Sequence, residues 1–317
     1  MVPESPLTRK ASLLISATTG AANAGTWNLG DLTVNRIGFG AMRLTQNGAA
    51  FGDDRGPHDR DRAIAVLRRA VELGVNHIDT AAFYFSPLRS ANELINRALG
   101  PYADDLVITT KVGPGRGPGG DWLDWAEPGQ LRGQVEENIR QLGRDHLDVV
   151  NLRMNGPAPI SEQFGALADL RKEGLIRHLG LSNAWPDQIA EALAIAPVVC
   201  VQNRYGIGER RADSEDILRT CGELGIAFVP FYAIAAGGRE AGADITAEHE
   251  VLLDIARAHD ASPAQIRLAW TLRRGPHVLA IPGTGNPAHL EANVAAGALR
   301  LTEDETGRLT ALGHSAG

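Results

Sequence analysis

Three side chains in this sequence could together move a proton: the carboxylate of Asp79, the phenol of Tyr84 and the amine of Lys111. Asp79 and Tyr84 fall in the stretch GVNHIDTAAFYF (74–85), and Lys111 closes the apolar run LVITTK (106–111). An ammonium at the end of an apolar strand needs a counter-charge, and Asp79 is the candidate. A cation beside a phenol favours the phenolate, which tunes the phenol towards acting as general acid for a developing alkoxide. Each residue also has a plain alternative. Asp at a strand end is commonly a turn or cap residue, and Lys111 could belong to an ion pair on a barrel rim.

Such groups act together only if a scaffold gathers strand ends. WNLGDLTV (27–34) has the pattern of a small hairpin turning at Gly30 and Asp31. Eight short apolar strands follow, at 37–41, 77–79, 106–111, 147–153, 178–182, 198–202, 227–231 and 278–282. Helical periodicity and stop signals place helices at 61–73, 91–99, 128–142, 161–173, 186–194, 214–223, 248–258, 263–273, 287–295 and 303–312. Continuous apolar strands fit a parallel sheet buried on both faces. The alternation predicts an α/β fold: a single (β/α)8 TIM barrel over 26–317, with an N-terminal β-hairpin and extra helices. A Rossmann fold is disfavoured, because residues 36–41 hold only a GxG that opens no nearby helix.

The net charge of −7, with scattered basic residues, argues against a nucleic-acid surface. Two cysteines, Cys200 and Cys221, and nine dispersed histidines form no metal-ligand spacing and no disulfide framework, so no metal is expected. Residues 1–25 differ from the rest, being rich in Ala, Ser, Thr and Gly. They loosely resemble a secretory signal, but Glu4 and the short apolar run Ala11 to Ala17 favour a disordered extension on a cytoplasmic protein. No run approaches the ~20 apolar residues of a membrane-spanning helix, so no membrane partner is expected.

In barrels of this kind, function gathers at the C-terminal ends of the strands and in the loops after them. Those ends are Asp79, Lys111, Arg153, Ser182 with Asn183, Gln202, Phe231, and Gly283 with Thr284. In IPGTGNPAHLEAN (281–293), Asn286 is placed to cap a helix that Pro287 begins. Amides at such a helix start can hold an anion, and the loop after the eighth strand is the usual phosphate position. Phe83 and Phe85 flank Tyr84, the glycine-rich loop 112–129 carries Trp122 and Trp125, and Tyr232 follows Phe231. Aromatic walls suit a flat ring such as a pyridine. Trp125 is equally well suited to packing as core. Glycines in 112–129 and 232–247 suggest mobile lids.

Several of these stretches resemble, in order, the motifs of the aldo-keto reductases. They are IGFGAMRL (37–44), GVNHIDTAAFY (74–84), ITTKVG (108–113), GLSN (180–183), VQNRY (201–205) and IPGTGNPAHLEAN (281–293). The resemblance covers about 26 to 312 and implies NADPH bound to a (β/α)8 barrel, with hydride passing to a carbonyl that a tyrosine protonates. It makes Tyr84 the proton donor, tuned by Asp79 and Lys111. Ser182, Asn183 and Gln202 become carboxamide partners and Phe231 a ring stacked on the nicotinamide. Gly283, Thr284, Asn286, His289 and Asn293 fall in the segment for adenine and the 2′-phosphate, and Met42, Asp79 and Tyr232 are further cofactor contacts.

Two positions depart from that pattern. The histidine expected at the end of the fourth strand is Arg153, in DVVNLR. Arginine stays charged and presents a fork of donors, so it cannot shuttle protons as imidazole does. It is either a substrate contact or one half of a salt bridge. Positions 283 and 289 hold Gly and His in place of Lys and Arg, which loosens the expectation of NADPH over NADH. Both departures recur in a subgroup that this chain resembles through LDVVNLR, VCVQN, GIAFVPF and IPGT, the bacterial pyridoxal reductases. The implied reaction is reduction of an aldehyde or ketone, with pyridoxal to pyridoxine as the specific expectation. Competing expectations are a Schiff-base lyase using Lys111 and a non-catalytic NADP(H)-binding redox sensor.

Overall fold

The computed structural model describes residues 20–45, 59–234 and 249–312. The strands are β1 (Thr26–Leu29), β2 (Leu32–Asn35), β3 (Phe39–Gly40), β4 (His77–Asp79), β5 (Phe85–Ser86), β6 (Arg89–Ser90), β7 (Val107–Val112), β8 (Leu147–Arg153), β9 (Ile176–Ser182), β10 (Val198–Gln202), β11 (Tyr205–Gly206), β12 (Glu209–Arg210) and β13 (Ala227–Phe228). The helices are α1 (Arg60–Glu72), α2 (Ala91–Leu99), α3 (Pro128–Leu142), α4 (Ser161–Lys172), α5 (Pro186–Ile195), α6 (Ser214–Glu223), α7 (Glu250–Ala258), α8 (Pro263–Arg273), α9 (Pro287–Ala295) and α10 (Glu303–Ala311).

Seven strands form one parallel sheet in the order β13-β10-β9-β8-β7-β4-β3. Residues 278–280 close it. Phe228 bridges Val278 on one side, and Ile37 bridges Ala280 on the other, both in parallel. Hydrogen bonds from Leu279 to Phe228 and from Gly38 to Ala280 complete the circle. The expected (β/α)8 barrel is therefore present, with two corrections at its seam. The regular part of the seventh strand is Ala227–Phe228, with Phe231 rejoining the pairing through a parallel bridge to Arg204, and the eighth is a bridged extended segment. Pro230 and Pro282 have no N–H to donate, which interrupts the ladder between these two strands, while Phe231 N still donates to Asn203 O and Gly40 N to Pro282 O.

The hairpin β1–β2 seals the N-terminal end of the barrel. Leu29 and Val34 pack with Val107, Val149, Cys200, Ala227, Val229 and Leu279 into a dry interior. Its turn is held by Asp31, which accepts hydrogen bonds from Arg177 and His178 at 2.6 Å each. Gly30 is needed there: its φ is 66°, and a Cβ would lie 2.3 Å from the His178 ring. With the lower end apolar and plugged, polar side chains gather at the other end. Ala21–Ala24 forms a 3-10 turn whose Ala21 amide donates to Leu73 O, so the expected extension through residue 25 does not hold for this turn. Residues 1–19, and most of the second expected lid, lie outside the described residues. Among the described residues, no helix is long and apolar enough to cross a membrane.

Candidate active site

Asp79 is the hub of the upper end. It ends β4, one strand over from Lys111 on β7, and both side chains point into the barrel. Lys111 Nζ donates to Asp79 Oδ1 at 2.6 Å and to Thr80 O at 2.9 Å, and Gln202 Nε2 donates to Asp79 Oδ2 at 2.7 Å. Asp79 is 3% exposed and Lys111 2%. Burial alone would push the ammonium down, but the charge of Asp79 and then Tyr84 hold it above its ordinary value. Lys111 Nζ lies 4.8 Å from the centroid of the Tyr84 ring. Tyr84 is fixed by its backbone, with N donating to Ala81 O and O accepting from Ala91 N.

The alternation of a strand means that each inward residue has an outward neighbour. Thr80 Oγ1 donates to Asn92 Oδ1 at 2.8 Å, and Thr110 Oγ1 donates to Asn138 Oδ1 at 2.6 Å. Asn92 Nδ2 joins the two halves through Asn138 Oδ1 at 2.9 Å. These buried amides on α2 and α3 lock the register of the strands that carry Asp79 and Lys111. Below the hub, Gly180 has no room for a side chain, since a Cβ would lie 2.1 Å from Asn151 Oδ1. His77, one strand pleat beneath Asp79, contacts Thr109 Oγ1 at 3.0 Å, and burial lowers its pKa to about 4.

Arg153 ends β8 in register with Ser182. Of its two alternatives, the salt bridge is not formed among the described residues: the guanidinium meets no carboxylate there and lies 5.9 Å from the Phe83 centroid. Phe83 in turn stands edge-on to Tyr84 at 5.1 Å and tilted against Trp122 at 5.6 Å. Trp122 is 48% exposed and forms a rim. Trp125 takes the core alternative. It packs, partly buried, against the apolar core, and its Nε1 donates to Arg153 O at 2.8 Å, so it supports the strand end. Sequence reading missed Arg116, which donates to Phe85 O at 2.8 Å and Gly120 O at 2.8 Å and faces the Phe85 ring. It ties the loop after β7 to the aromatic turn that carries Tyr84.

The residues expected to meet a cofactor line one side of the same mouth. Ser182 Oγ lies 3.4 Å from Gln202 Oε1, and Asn183 N donates to Gln202 O at 2.8 Å. Asn183 has φ 59°, a conformation that Asn tolerates better than most residues. Asn203, also missed, clasps the next residue by accepting from Ala184 N and donating to Ala184 O. Phe231 is half-buried and edge-on to Tyr232, whose φ is 71° and whose ring lies under the Arg204 guanidinium. Gly40 and Gly283 cross closely: a Cβ on Gly283 would lie 2.5 Å from Gly40 O. Met42 packs half-buried in the 3-10 turn after β3. Asn286 caps α9 by accepting from Ala288 N at 3.0 Å, and its own N donates to buried Thr284 Oγ1. His289 is exposed and Asn293 buried. Arg62 of α1 donates to Gly285 O at 2.9 Å, placing a cation against a turn that has none of its own.

Comparison with known proteins follows the same geometry. The model of the Aldo/keto reductase family matches residues 36–314. Pyridoxine 4-dehydrogenase of Escherichia coli (strain K12) is 44% identical over 289 residues, spanning 89% of this chain and 96% of that protein. An uncharacterized oxidoreductase of Schizosaccharomyces pombe is 40% identical over 302 residues, spanning 95% and 94%. Among solved structures, a thermostable aldo-keto reductase in complex with the inhibitor epalrestat superposes with a TM-score of 0.75 at 28% identity, covering 91% and 99%. An aldo/keto reductase from Klebsiella pneumoniae in complex with NADP and acetate gives 0.71 at 27%, covering 88% and 92%.

Proposed function

Because the chain belongs to the aldo/keto reductase family, we propose that it is an NADP-dependent carbonyl reductase whose proton donor is Tyr84 and whose substrates are aromatic aldehydes of the pyridoxal type. The observation that carries this reading is the buried Asp79–Lys111 pair, with its ammonium 4.8 Å from the Tyr84 ring centroid. NADPH, when bound, supplies the hydride that adds to the carbonyl carbon. The Tyr84 hydroxyl gives its proton to the carbonyl oxygen as negative charge develops there. Lys111 stabilises the phenolate left behind, and Asp79 keeps the ammonium charged and oriented. Gln202 fixes the second carboxylate oxygen, so the pair has one arrangement.

The donor set fits that cofactor. Ser182 and Asn183 stand together at the mouth, Phe231 is half-buried beside them, and the close Gly40–Gly283 crossing keeps the turn after residue 282 tight against β3. Amides at the start of α9, with Arg62 beside Gly285, suit a phosphate. The pyridoxal-type substrate is supported by the aromatic rim and by the likeness to the E. coli enzyme. A Schiff-base lyase is opposed by the same pair, since an imine needs a neutral amine and the Lys111 ammonium is held above its ordinary value.

Tyr84→Phe tests the assignment. NADPH oxidation with pyridoxal and other aromatic aldehydes is expected to fall by about 10²–10⁴-fold, while NADPH affinity, read by fluorescence quenching, stays within about twofold. Wild-type turnover in this variant would remove Tyr84 from the chemistry.

A further inference from the structure

Among the described residues, Arg153 is a charged group without a charged partner. Lys111 on the adjacent strand and Asp79 one strand further satisfy one another, and Trp125 engages its backbone oxygen. Among the described residues, the guanidinium meets the Phe83 ring and no carboxylate. That ring is shared: Phe83 touches Tyr84 on one side and Trp122 on the other, so the cation stands over the aromatic wall that leads to the proton donor. A half-buried, unpaired guanidinium beside flat apolar walls is complementary to a flat ring carrying an ionised oxygen.

We infer that Arg153 is a specificity-determining residue selecting aryl aldehydes with an acidic hydroxyl ortho to the carbonyl. The inference rests on the carbonyl-reductase reading and narrows its substrate class. With the carbonyl oxygen at Tyr84, an ortho oxygen lies on the same edge of the ring, and a planar fork of N–H donors can reach it while the ring lies against Phe83. Neutral imidazole at this position would offer one donor and no permanent charge. Pyridoxal, with its hydroxyl next to the aldehyde, falls in the selected class.

The test compares salicylaldehyde with 2-methylbenzaldehyde, whose ortho group is close to a hydroxyl in size but cannot ionise. Wild type is expected to favour salicylaldehyde in kcat/KM by at least tenfold, the preference growing as pH rises through that phenol's own pKa. Arg153→Met should lower this ratio at least tenfold, and Arg153→Lys should restore part of it. Circular dichroism of each variant verifies folding, and Arg153→Lys carries the comparison if Arg153→Met does not fold. Calorimetry of 2-nitrophenolate and of 2-nitrotoluene binding to the NADP⁺-loaded protein provides a readout independent of turnover, with 2-nitrophenolate binding lost in Arg153→Met. If both aldehydes are reduced at a ratio that Arg153→Met leaves unchanged, the inference falls and the reductase reading stands. If neither aldehyde is reduced but 2-nitrophenolate binds through Arg153, the anion site stands and the reductase reading falls. If 2-nitrophenolate binding is also independent of Arg153, the inference is overturned.

Discussion

Asp79→Asn isolates what the hub contributes, because it removes a charge and keeps the size of the side chain. Lys111 is 2% exposed, and its ammonium has Asp79 Oδ1 and Thr80 O as acceptors at 2.6 and 2.9 Å. Breaking a buried pair leaves an uncompensated charge and costs about 3–5 kcal/mol. The asparagine oxygen still accepts one hydrogen bond, which places the expected loss near the lower end, about 3 kcal/mol. For a chain of this size that lowers Tm by roughly 4–5 °C. The pH dependence has a definite sign. In the wild type the folded ammonium is held above its ordinary value, so its stabilisation is complete below the unfolded lysine pKa and is lost only as pH rises through the higher folded one. In the variant, burial is unopposed and the folded pKa falls, so its stability increases as pH approaches the ordinary lysine range. The gap between the two proteins, measured by urea denaturation, is therefore full at about pH 7 and narrower at about pH 10. Lys111→Met should also destabilise, but the double variant should cost less than the sum of the singles by about 2 kcal/mol or more. A loss under about 1 kcal/mol for Asp79→Asn, or simple additivity, would refute the pairing as the organising interaction.

Two further outcomes test the edges of the site. Arg62→Ala is expected to weaken NADPH binding by about tenfold while leaving NADH nearly unaffected, because a charge-assisted contact to the 2′-phosphate is lost; equal weakening of both cofactors in fluorescence titrations would place Arg62 elsewhere. His77, ordinarily near 6.5, is held at about 4 by burial, so between those values the unfolded chain takes up a proton that the folded chain refuses. Wild-type stability should fall as pH drops through that window, with a slope approaching about 1.4 kcal/mol per pH unit, and His77→Gln should flatten it. Parallel stability profiles for the two proteins would show that the ring is protonated without penalty.

What was legible in the sequence was whatever rests on periodicity and on contacts between strand ends. The apolar runs at 77–79, 147–153 and 198–202 and the helices at 91–99 and 128–142 coincide with the observed elements. The Asp79–Lys111 pairing followed from the cost of an unpaired buried ammonium. The seam of the barrel is less regular than its apolar runs suggest, because Pro230 and Pro282 donate no ladder hydrogen bond and leave the two strands joined through bridges. The Thr80–Asn92–Asn138–Thr110 network was invisible for a different reason: isolated asparagines on helices carry the same signature as solvated ones, and only packing shows that they are buried. Arg62 reaches Gly285 across 223 residues of sequence, and no local pattern marks such an approach. Arg153 was conspicuous as a departure, but its lack of a carboxylate partner was a matter of geometry.

The strand alternation explains why the groups proposed to transfer the proton and those proposed to face the substrate are built differently. Asp79 and Lys111 are inward residues whose outward neighbours, Thr80 and Thr110, are locked by amides from α2 and α3. A shift of either strand would break buried hydrogen bonds on both of its faces at once, so the pair is held without help from the loops. Phe83, Phe85 and Trp122, by contrast, sit on turns tied together by Arg116, and they can vary without disturbing that arrangement. Arg153, the group proposed to meet the substrate, is the exception, being carried on a barrel strand with its carbonyl pinned by Trp125. Its selectivity should therefore survive changes to the aromatic loop. Replacing Trp122 by alanine is expected to weaken binding of aryl aldehydes generally, whereas the discrimination between ionised and non-ionised rings should follow Arg153 alone.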